Sequence, residues 1–145
     1  MMKKISYTIM LLVLAFTTAS WAHDSSGGVT VDVLAKTTTS WNGAALPGYN
    51  PGTPEVTILR IVIPAKTKLP LHQHLVINAG VLIKGELTVV TQDKKTLHLN
   101  AGDPIVEVVD TWHYGRNDGE GPAEIIVFYA GIKGVPITVK APVAK

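Results

Sequence analysis

Residues 72–117 read HQHLVINAGVLIKGELTVVTQDKKTLHLNAGDPIVEVVDTWHYGRN and decide the fold of this 145-residue chain. Short runs rich in Val, Ile, Leu and Thr alternate here with glycine-containing and polar turns. Strands that recur about every 8–12 residues with such turns between them are typical of a sandwich or a closed barrel rather than of alternating βα units. The stretch therefore predicts an all-β, single-domain protein.

The rest of the chain extends this pattern in both directions. No run of helical periodicity interrupts it beyond residue 22, and the Pro- and Gly-rich segment 40–54 is predicted to be a loop. Segment 23–54 leads into a barrel at 55–139, and 140–145 is a frayed or lightly docked tail. The predicted strands are 29–34, 56–63, 79–83, 87–91, 96–99, 105–109, 124–129 and 135–139.

The first 22 residues have the layout of a secretory signal peptide. A basic start with Lys3 and Lys4 precedes the apolar stretch 5–19, and Ser20-Trp21-Ala22 offers small residues at a cleavage site. The apolar stretch is shorter than the roughly 18 residues that span a bilayer, so a retained anchor is the alternative. We expect cleavage after Ala22, a periplasmic or secreted bacterial protein, and no membrane contact after cleavage.

Charge and cysteine content exclude several classes of function. Without Lys3 and Lys4 the 13 basic residues fall to 11, equal to the 11 acidic ones, so no basic surface predicts a nucleic-acid partner. The chain has no cysteine, which excludes disulfides, thiolate metal sites and a cysteine nucleophile.

Three of the five histidines form a candidate site. His72 and His74 are two residues apart, so on a strand their side chains point to the same face. His113 follows after three more predicted strands, and a closed barrel can bring it beside them. Neutral imidazole is a common metal ligand. The spacing alone leaves open that His72 and His74 decorate an exposed strand edge.

The surrounding residues resemble the cupin family. The first motif of the family reads H-x-H, three or four residues, Glu, six residues, Gly. Its positions are occupied here by His72-Gln73-His74, by Asn78 in place of Glu, and by Gly85. The second motif of the family reads Gly, five residues, P-x-G, two residues, His, three residues, Asn. Gly102, His113 and Asn117 occupy its Gly, His and Asn positions. The run 40–43, Ser-Trp-Asn-Gly, also resembles small single-domain bacterial cupins.

The resemblance implies a jelly-roll β-barrel in which His72, His74 and His113 bind one metal ion. Asn78 replaces the usual Glu ligand, and Val108 and Asp110 replace the Pro and Gly of the second motif. Asn78 is thus at most a weak ligand that offers an amide oxygen. Three imidazoles favour a divalent transition metal (Fe, Zn, Ni, Cu or Mn) over Mg or Ca.

Other polar residues have predicted roles outside this triad. Glu107 shares the parity of His113 and is a candidate replacement carboxylate, although a surface or rim position is the expectation. Asp103 and Asp110 are interpreted as turn residues. His98, between two core leucines, is predicted to face solvent. His23 becomes the amino terminus after cleavage and is a minor candidate for copper chelation.

The remaining expectations concern the pocket wall and the outer surface. Gly80, Leu82 and strand 123–130 are predicted to line the pocket. Trp112 and Tyr114 flank His113 and should point away from the metal. Arg60 is assigned to an outward or dimer-interface position, with contact to an anionic ligand as the alternative.

Three functions remain open at this point. The first is a metal-binding module, the second a periplasmic metallo-enzyme with dioxygenase- or isomerase-like chemistry, and the third a metal-free barrel that binds a small molecule. No clear general base accompanies the histidines, and the catalytic residues, the substrate and the metal are not identified by the sequence. A homodimer is expected.

Overall fold

The β-branched runs of the sequence form strands in a computed structural model that describes residues 28–49 and 51–142. Ten strands lie in these ranges, and each named strand pair is antiparallel. They are β1 (Pro54–Ile63), β2 (Thr67–Lys68), β3 (His72–Gln73), β4 (Ile77–Lys84), β5 (Glu86–Thr91), β6 (Thr96–Asn100), β7 (Pro104–Val106), β8 (His113–Asn117), β9 (Ala123–Ile132) and β10 (Val139–Lys140). The described part of the chain contains no helix long and apolar enough to cross a membrane.

The strands are arranged in two sheets that enclose the core. One sheet has the order β1-β9-β4-β7, and the other has the order β10-β3-β8-β5-β6 with β2 beside β8. Alternate residues of the long strands are buried, as in β9, because successive side chains point to opposite faces of a sheet. The apolar core includes Ile63, Leu82, Leu87, Val89, Leu99, Ile105, Ile125 and Val127. The predicted all-β jelly-roll barrel is confirmed.

Most of the predicted strands are present with small changes at their ends. The segments 56–63, 79–83, 87–91, 96–99 and 124–129 lie within β1, β4, β5, β6 and β9. The segment 105–109 is shorter than predicted, because β7 ends at Val106. The described residues of the loop before β1 are irregular apart from one bridge between Thr39 and Ala45.

The predicted strand 29–34 is wrong. Residues 29–34 have no strand assignment, and Val29, Val31 and Val33 are 93%, 81% and 74% exposed. Alternation of apolar and polar residues indicates a strand only where a neighbouring strand accepts its hydrogen bonds and a core buries its apolar face. Among the described residues no strand pairs with 29–34, and Val29, Val31 and Val33 are not buried.

The sequence pattern also misplaced two elements near the site. Strand β8, His113–Asn117, was not predicted, because its inward residues at 113, 115 and 117 are His, Gly and Asn rather than large apolar side chains. The predicted strand 135–139 is reduced to β10 at Val139–Lys140. Lys140 is therefore part of a strand and not of a frayed tail, and Ala141 N donates to Leu71 O at 2.9 Å.

Gly85 makes the tight connection between β4 and β5 that the first motif requires. Its φ is +76°, and a β-carbon at this position would lie 2.7 Å from the carbonyl oxygen of Pro122. Only glycine fits both the left-handed backbone and this close approach. The turn leads from β4 in one sheet to β5 in the other, where β5 pairs with β8.

Candidate metal centre

Strand pairing brings the three histidines of the motifs together. His72 of β3 is opposite His113 of β8, and His74 follows in a bridge to Val109. The ring centroids are 4.4 Å apart for His72 and His113, 5.0 Å for His74 and His113, and 5.1 Å for His72 and His74. One ligand nitrogen of each ring lies within 4.8 Å of the other two. The closed barrel therefore gathers these rings, as the parity of His72 and His74 predicted.

Main-chain carbonyls fix which nitrogen of each ring carries the proton. Nδ1 of His72 lies 2.8 Å from Pro70 O, and Nδ1 of His113 lies 2.8 Å from Thr111 O. Nδ1 of His74 lies 3.1 Å from Ile137 O and 3.0 Å from Thr138 Oγ1, a hydroxyl oxygen that can also accept from it. A carbonyl oxygen can only accept, so Nδ1 donates in each ring and Nε2 keeps a free lone pair. Such outer hydrogen bonds orient metal-binding imidazoles in proteins.

Burial keeps these rings neutral. Desolvation lowers the pKa of His72 and of His113, and it lowers the pKa of His74 to about 3. Nε2 of His113 is buried and has no hydrogen-bond partner among the residues that the structure describes. A buried polar atom without a partner is rare and calls for an explanation. Neutral rings that present unpartnered lone pairs to one another fit a transition-metal ion.

The histidines adjoin a small cavity inside the barrel. Its volume is about 60 Å³, which is space for a few water molecules. Its wall is formed by Ile61, Ile63, Leu69, His72, Asn78, Leu87, Val89, Glu107, His113, Gly115, Ile125, Val127 and Tyr129. The prediction for strand 123–130 therefore agrees with the structure. The prediction for Gly80 and Leu82 is wrong, because both are buried in the core beside β9 and neither lines the cavity.

Asn78 lines the cavity and stands at the Glu position of the first motif. The side chain is 1% exposed, and its Nδ2 donates to Val76 O at 3.3 Å. Its Oδ1 has no partner within the described ranges, so an amide oxygen is available beside the histidines. This matches the expected orientation of Asn78.

Glu107 lies inside the barrel, which corrects the expectation of a surface or rim carboxylate. Its side chain is only 12% exposed, and its Oε2 lies 3.8 Å from Nε2 of His113. The alternation of side chains along β7 continues one residue past its end at Val106. Glu107 therefore points to the same side as the buried Ile105 and lines the cavity. Desolvation raises the pKa of Glu107 to about 7, while hydrogen bonds from Trp41 and Val108 act against this shift.

Two further residues of the site were not singled out individually from the sequence. Trp41 reaches it from the loop before β1, and its Nε1 donates to Oε2 of Glu107 at 3.3 Å. Tyr129 is 3% exposed and packs its ring 5.4 Å from that of His74. The inward parity of strand 123–130 could have identified Tyr129, whereas no local pattern links Trp41 to residue 107.

The remaining predicted residues lie outside the cavity. His98 is exposed, and its Nδ1 lies 3.0 Å from Thr88 Oγ1. Asp103 accepts a hydrogen bond from Asn100 N at 2.7 Å, and Asp110 adopts a φ of 50°, as expected of turn residues. His23 and the predicted signal peptide lie outside the described residues.

Side chains flanking the site also face outward. Tyr114 packs under Lys68, whose Nζ lies 3.9 Å from the ring centroid, and neither Tyr114 nor Trp112 lines the cavity. Arg60 is 67% exposed and forms an ion pair with Glu124 on the outer face of the sheet. This position excludes the alternative in which Arg60 contacts a ligand in the cavity.

Comparison with known proteins agrees with this architecture. A double-stranded β-helix protein from Klebsiella pneumoniae has a TM-score of 0.52 at 18% identity, over 67% of this chain and 90% of that one. An RmlC-like cupin-family protein from Methanocaldococcus jannaschii has a TM-score of 0.50 at 20% identity, over 71% and 86%. The DMSP lyase DddQ from Ruegeria pomeroyi has a TM-score of 0.52 at 20% identity, over 59% of this chain and 42% of the lyase. At these identities the likeness shows the fold alone, and this chain spans less than half of the lyase.

A family model agrees with the structural likeness. No curated protein matches the chain. The model described as "Cupin domain" matches residues 59–129, which contain all three clustered histidines. The barrel, the motif positions and this match agree, so residues 59–129 are similar to a cupin domain in both sequence and fold.

Proposed function

We propose that this cupin-like domain binds one divalent transition metal through Nε2 of His72, His74 and His113. The observation that carries the proposal is the set of three Nδ1 contacts to main-chain carbonyls, which leaves three Nε2 lone pairs facing one another. Holding the rings in this way reduces the conformational cost of binding a metal. Imidazole ligands favour Fe, Zn, Ni, Cu or Mn over Mg and Ca.

The size of the cavity supports a binding module. A volume of about 60 Å³ leaves space for the ion and for a few atoms of a further ligand. A larger molecule has to approach from the rim. Retention of the ion, or of a small molecule on it, is therefore the function that the described residues support best.

A metallo-enzyme of the dioxygenase or isomerase type is the second candidate function. The observation in its favour is the Glu107 carboxylate inside the cavity, because it provides the base that the sequence alone did not place. A bound ion would act as a Lewis acid toward an oxygen-bearing substrate. In that case Glu107 would accept a proton at its carboxylate while the apolar wall excludes bulk water.

The proposed location is outside the cytoplasm. The basic start, apolar stretch and small residues of segment 1–22 support export with cleavage after Ala22. Expression of the full chain in a bacterium, followed by fractionation and intact-mass measurement, tests this. A periplasmic product beginning at His23 is expected, and a full-length product in the membrane or cytoplasm would contradict the proposal.

A homodimer is proposed through the outer face of the sheet β1-β9-β4-β7. Val56, Ile58 and Val62 of this face are 71%, 58% and 55% exposed, and Phe128 beside them is 49% exposed. Apolar patches of this kind mark interaction surfaces. The Arg60–Glu124 pair lies on the same face, so a two-fold contact can place each Arg60 near the second copy's acidic residue.

Elemental analysis of protein purified without added metal tests the proposed metal site. About one transition-metal ion per chain is expected for the wild type, and strongly reduced content is expected for His72→Ala, His74→Ala and His113→Ala. His98→Ala is the matched control, because His98 is an exposed histidine on β6. Full metal content in the three site variants would refute the site. A wild type that binds no added metal would leave the metal-free small-molecule barrel as the function.

A further inference from the structure

Positions 78 and 107, which are neighbours in the barrel, carry an amide and a carboxylate, whereas the expected site has its carboxylate at position 78. The acid expected at position 78 is an amide, and a carboxylate occurs on the adjacent segment at Glu107. Glu107 N donates to Asn78 O at 3.0 Å, which continues the antiparallel pairing of β4 with β7 by one residue. Both side chains line the same cavity. Side chains at such cross-strand positions lie within reach of the same ligand.

The Glu107 carboxylate is buried, and no charged basic side chain among the described residues pairs with it. Within the described ranges its only contact with a basic nitrogen is to Nε2 of His113, at 3.8 Å, and that ring is neutral. Its Oε2 also accepts hydrogen bonds from Trp41 Nε1 and from Val108 N, each at 3.3 Å. Two long hydrogen bonds compensate a buried carboxylate only in part. A cation held at Nε2 of His113 would complete the compensation.

The loop before β1 holds this carboxylate in place. Trp41 N donates to Val106 O at 2.9 Å, and Ser40 Oγ donates to Glu107 O at 2.9 Å. These bonds attach the loop to the main chain on both sides of the β7 terminus. The Trp41 indole then reaches the carboxylate itself. The arrangement orients Glu107 toward His113 rather than toward solvent.

We infer that Glu107, positioned by Trp41, supplies the carboxylate of the metal centre in place of the residue at position 78. The inference rests on the proposed metal site and adds a fourth, charged ligand to the three imidazoles. The separation of 3.8 Å is only a few tenths longer than that of two ligand atoms that are each about 2.1 Å from one ion. A small rotation of the Glu107 side chain therefore brings it into the coordination shell. Asn78 contributes at most a contact to bound water.

Titration of the purified, metal-free protein with Co²⁺ tests this inference. The dissociation constant gives affinity, and the visible absorption of Co²⁺ reports the type and number of its ligands. Glu107→Gln should weaken binding by about 100-fold and change the spectrum, whereas Asn78→Ala should change affinity by less than about threefold. Glu55→Gln, which removes an exposed carboxylate on β1, is the matched control and should behave as the wild type.

Trp41 is a positioning residue and needs a different readout. Trp41→Phe should weaken Co²⁺ binding by about tenfold in the wild type and by much less in the Glu107→Gln background. That coupling separates positioning of the carboxylate from a general loss of stability. Equal effects in both backgrounds would overturn the role of Trp41.

A swap variant keeps the inference testable if Glu107→Gln does not fold. Asn78→Glu with Glu107→Gln returns the carboxylate to position 78, and it should bind Co²⁺ within about tenfold of the wild type. If the folded double variant did not bind Co²⁺, the claim that Glu107 replaces a carboxylate at position 78 would be overturned. Wild-type affinity and spectrum in Glu107→Gln would overturn the inference while leaving the three-histidine site intact. A wild type that binds no Co²⁺ would overturn both.

Discussion

Replacement of Asn117 should destabilise the barrel although this residue belongs to the second motif of the site. Its side chain is 1% exposed, and its Nδ2 donates to Ile63 O, Pro64 O and Gly121 O at 3.0, 3.1 and 2.8 Å. Its Oδ1 accepts from Gly119 N at 3.0 Å. Asn117 therefore ties the end of β8 to the end of β1 and to the turn before β9.

The expected loss follows from these bonds. The two Nδ2 hydrogens and the Oδ1 acceptor are three hydrogen-bonding groups of the side chain that main-chain partners satisfy at buried or half-buried positions. At about 1 kcal/mol for each satisfied group, Asn117→Ala should lower the free energy of unfolding by roughly 3 kcal/mol. That loss corresponds to a decrease of about 10–20 °C in Tm for a domain of this size. Asn117→Asp should cost at least as much, because a carboxylate would face three carbonyl oxygens.

Urea unfolding followed by circular dichroism measures this change. Asn100→Ala is the matched control, because Asn100 is exposed at the end of β6, and its loss should stay below about 0.5 kcal/mol. Folded Asn117→Ala protein should keep its metal stoichiometry, since the residue binds main chain and not the ion. A loss below about 1 kcal/mol for Asn117→Ala would refute this account of the motif.

Three further predictions address the site and the outer face. In metal-free protein the His74 ring by itself should lower stability as the pH falls below 6.5, because its pKa is about 3 in the folded state and the unfolded ring binds the extra proton. His74 contributes on the order of 2 kcal/mol between pH 6.5 and pH 4.5, and Glu107, with a pKa of about 7, contributes a similar amount in the opposite direction. Relative to the wild type, His74→Gln should therefore gain about 2 kcal/mol of stability over this interval in a urea-unfolding series, and equal pH dependence of the two proteins would contradict the assignment. Zn²⁺ at 100 times its Kd should stabilise the wild type and His98→Ala by about 2.7 kcal/mol in a thermal melt, and an equal gain in His72→Ala would argue against the site. Ile58 and Phe128 pair on the outer face, so Ile58→Lys with Phe128→Lys should halve the mass seen by sedimentation equilibrium, whereas an unchanged mass would exclude this face as the interface.

The cavity's polar residues were accessible to sequence reasoning to different degrees. His72 and His74 share a face because side chains alternate along a strand, and motif spacing supplied His113. Asn78 was placed correctly by the same parity. Glu107 was assigned to the rim, because parity does not state how deeply a residue is buried.

Failures of the strand predictions have related causes. Segment 29–34 alternates well, yet Val31 and Val33 are exposed, since alternation does not supply a pairing partner. Strand β8 was missed because its inward residues are not large apolar side chains of the core. His113 belongs to the site, residue 115 is glycine, and Asn117 forms hydrogen bonds with main-chain groups. Both errors arise because local patterns do not specify tertiary neighbours.

The sequence by itself determined the all-β class, the positions of most strands and the set of three histidines. These features depend on alternation and on short spacing, which act within one strand or one motif. Tertiary structure alone decided that Glu107 enters the cavity and that Trp41, 66 residues away along the chain, bonds to it. It also decided that Nδ1 of His74 forms a hydrogen bond with the main-chain carbonyl of Ile137. Such contacts join distant segments, and closure of the barrel selects them because buried polar groups must find partners wherever the fold brings them.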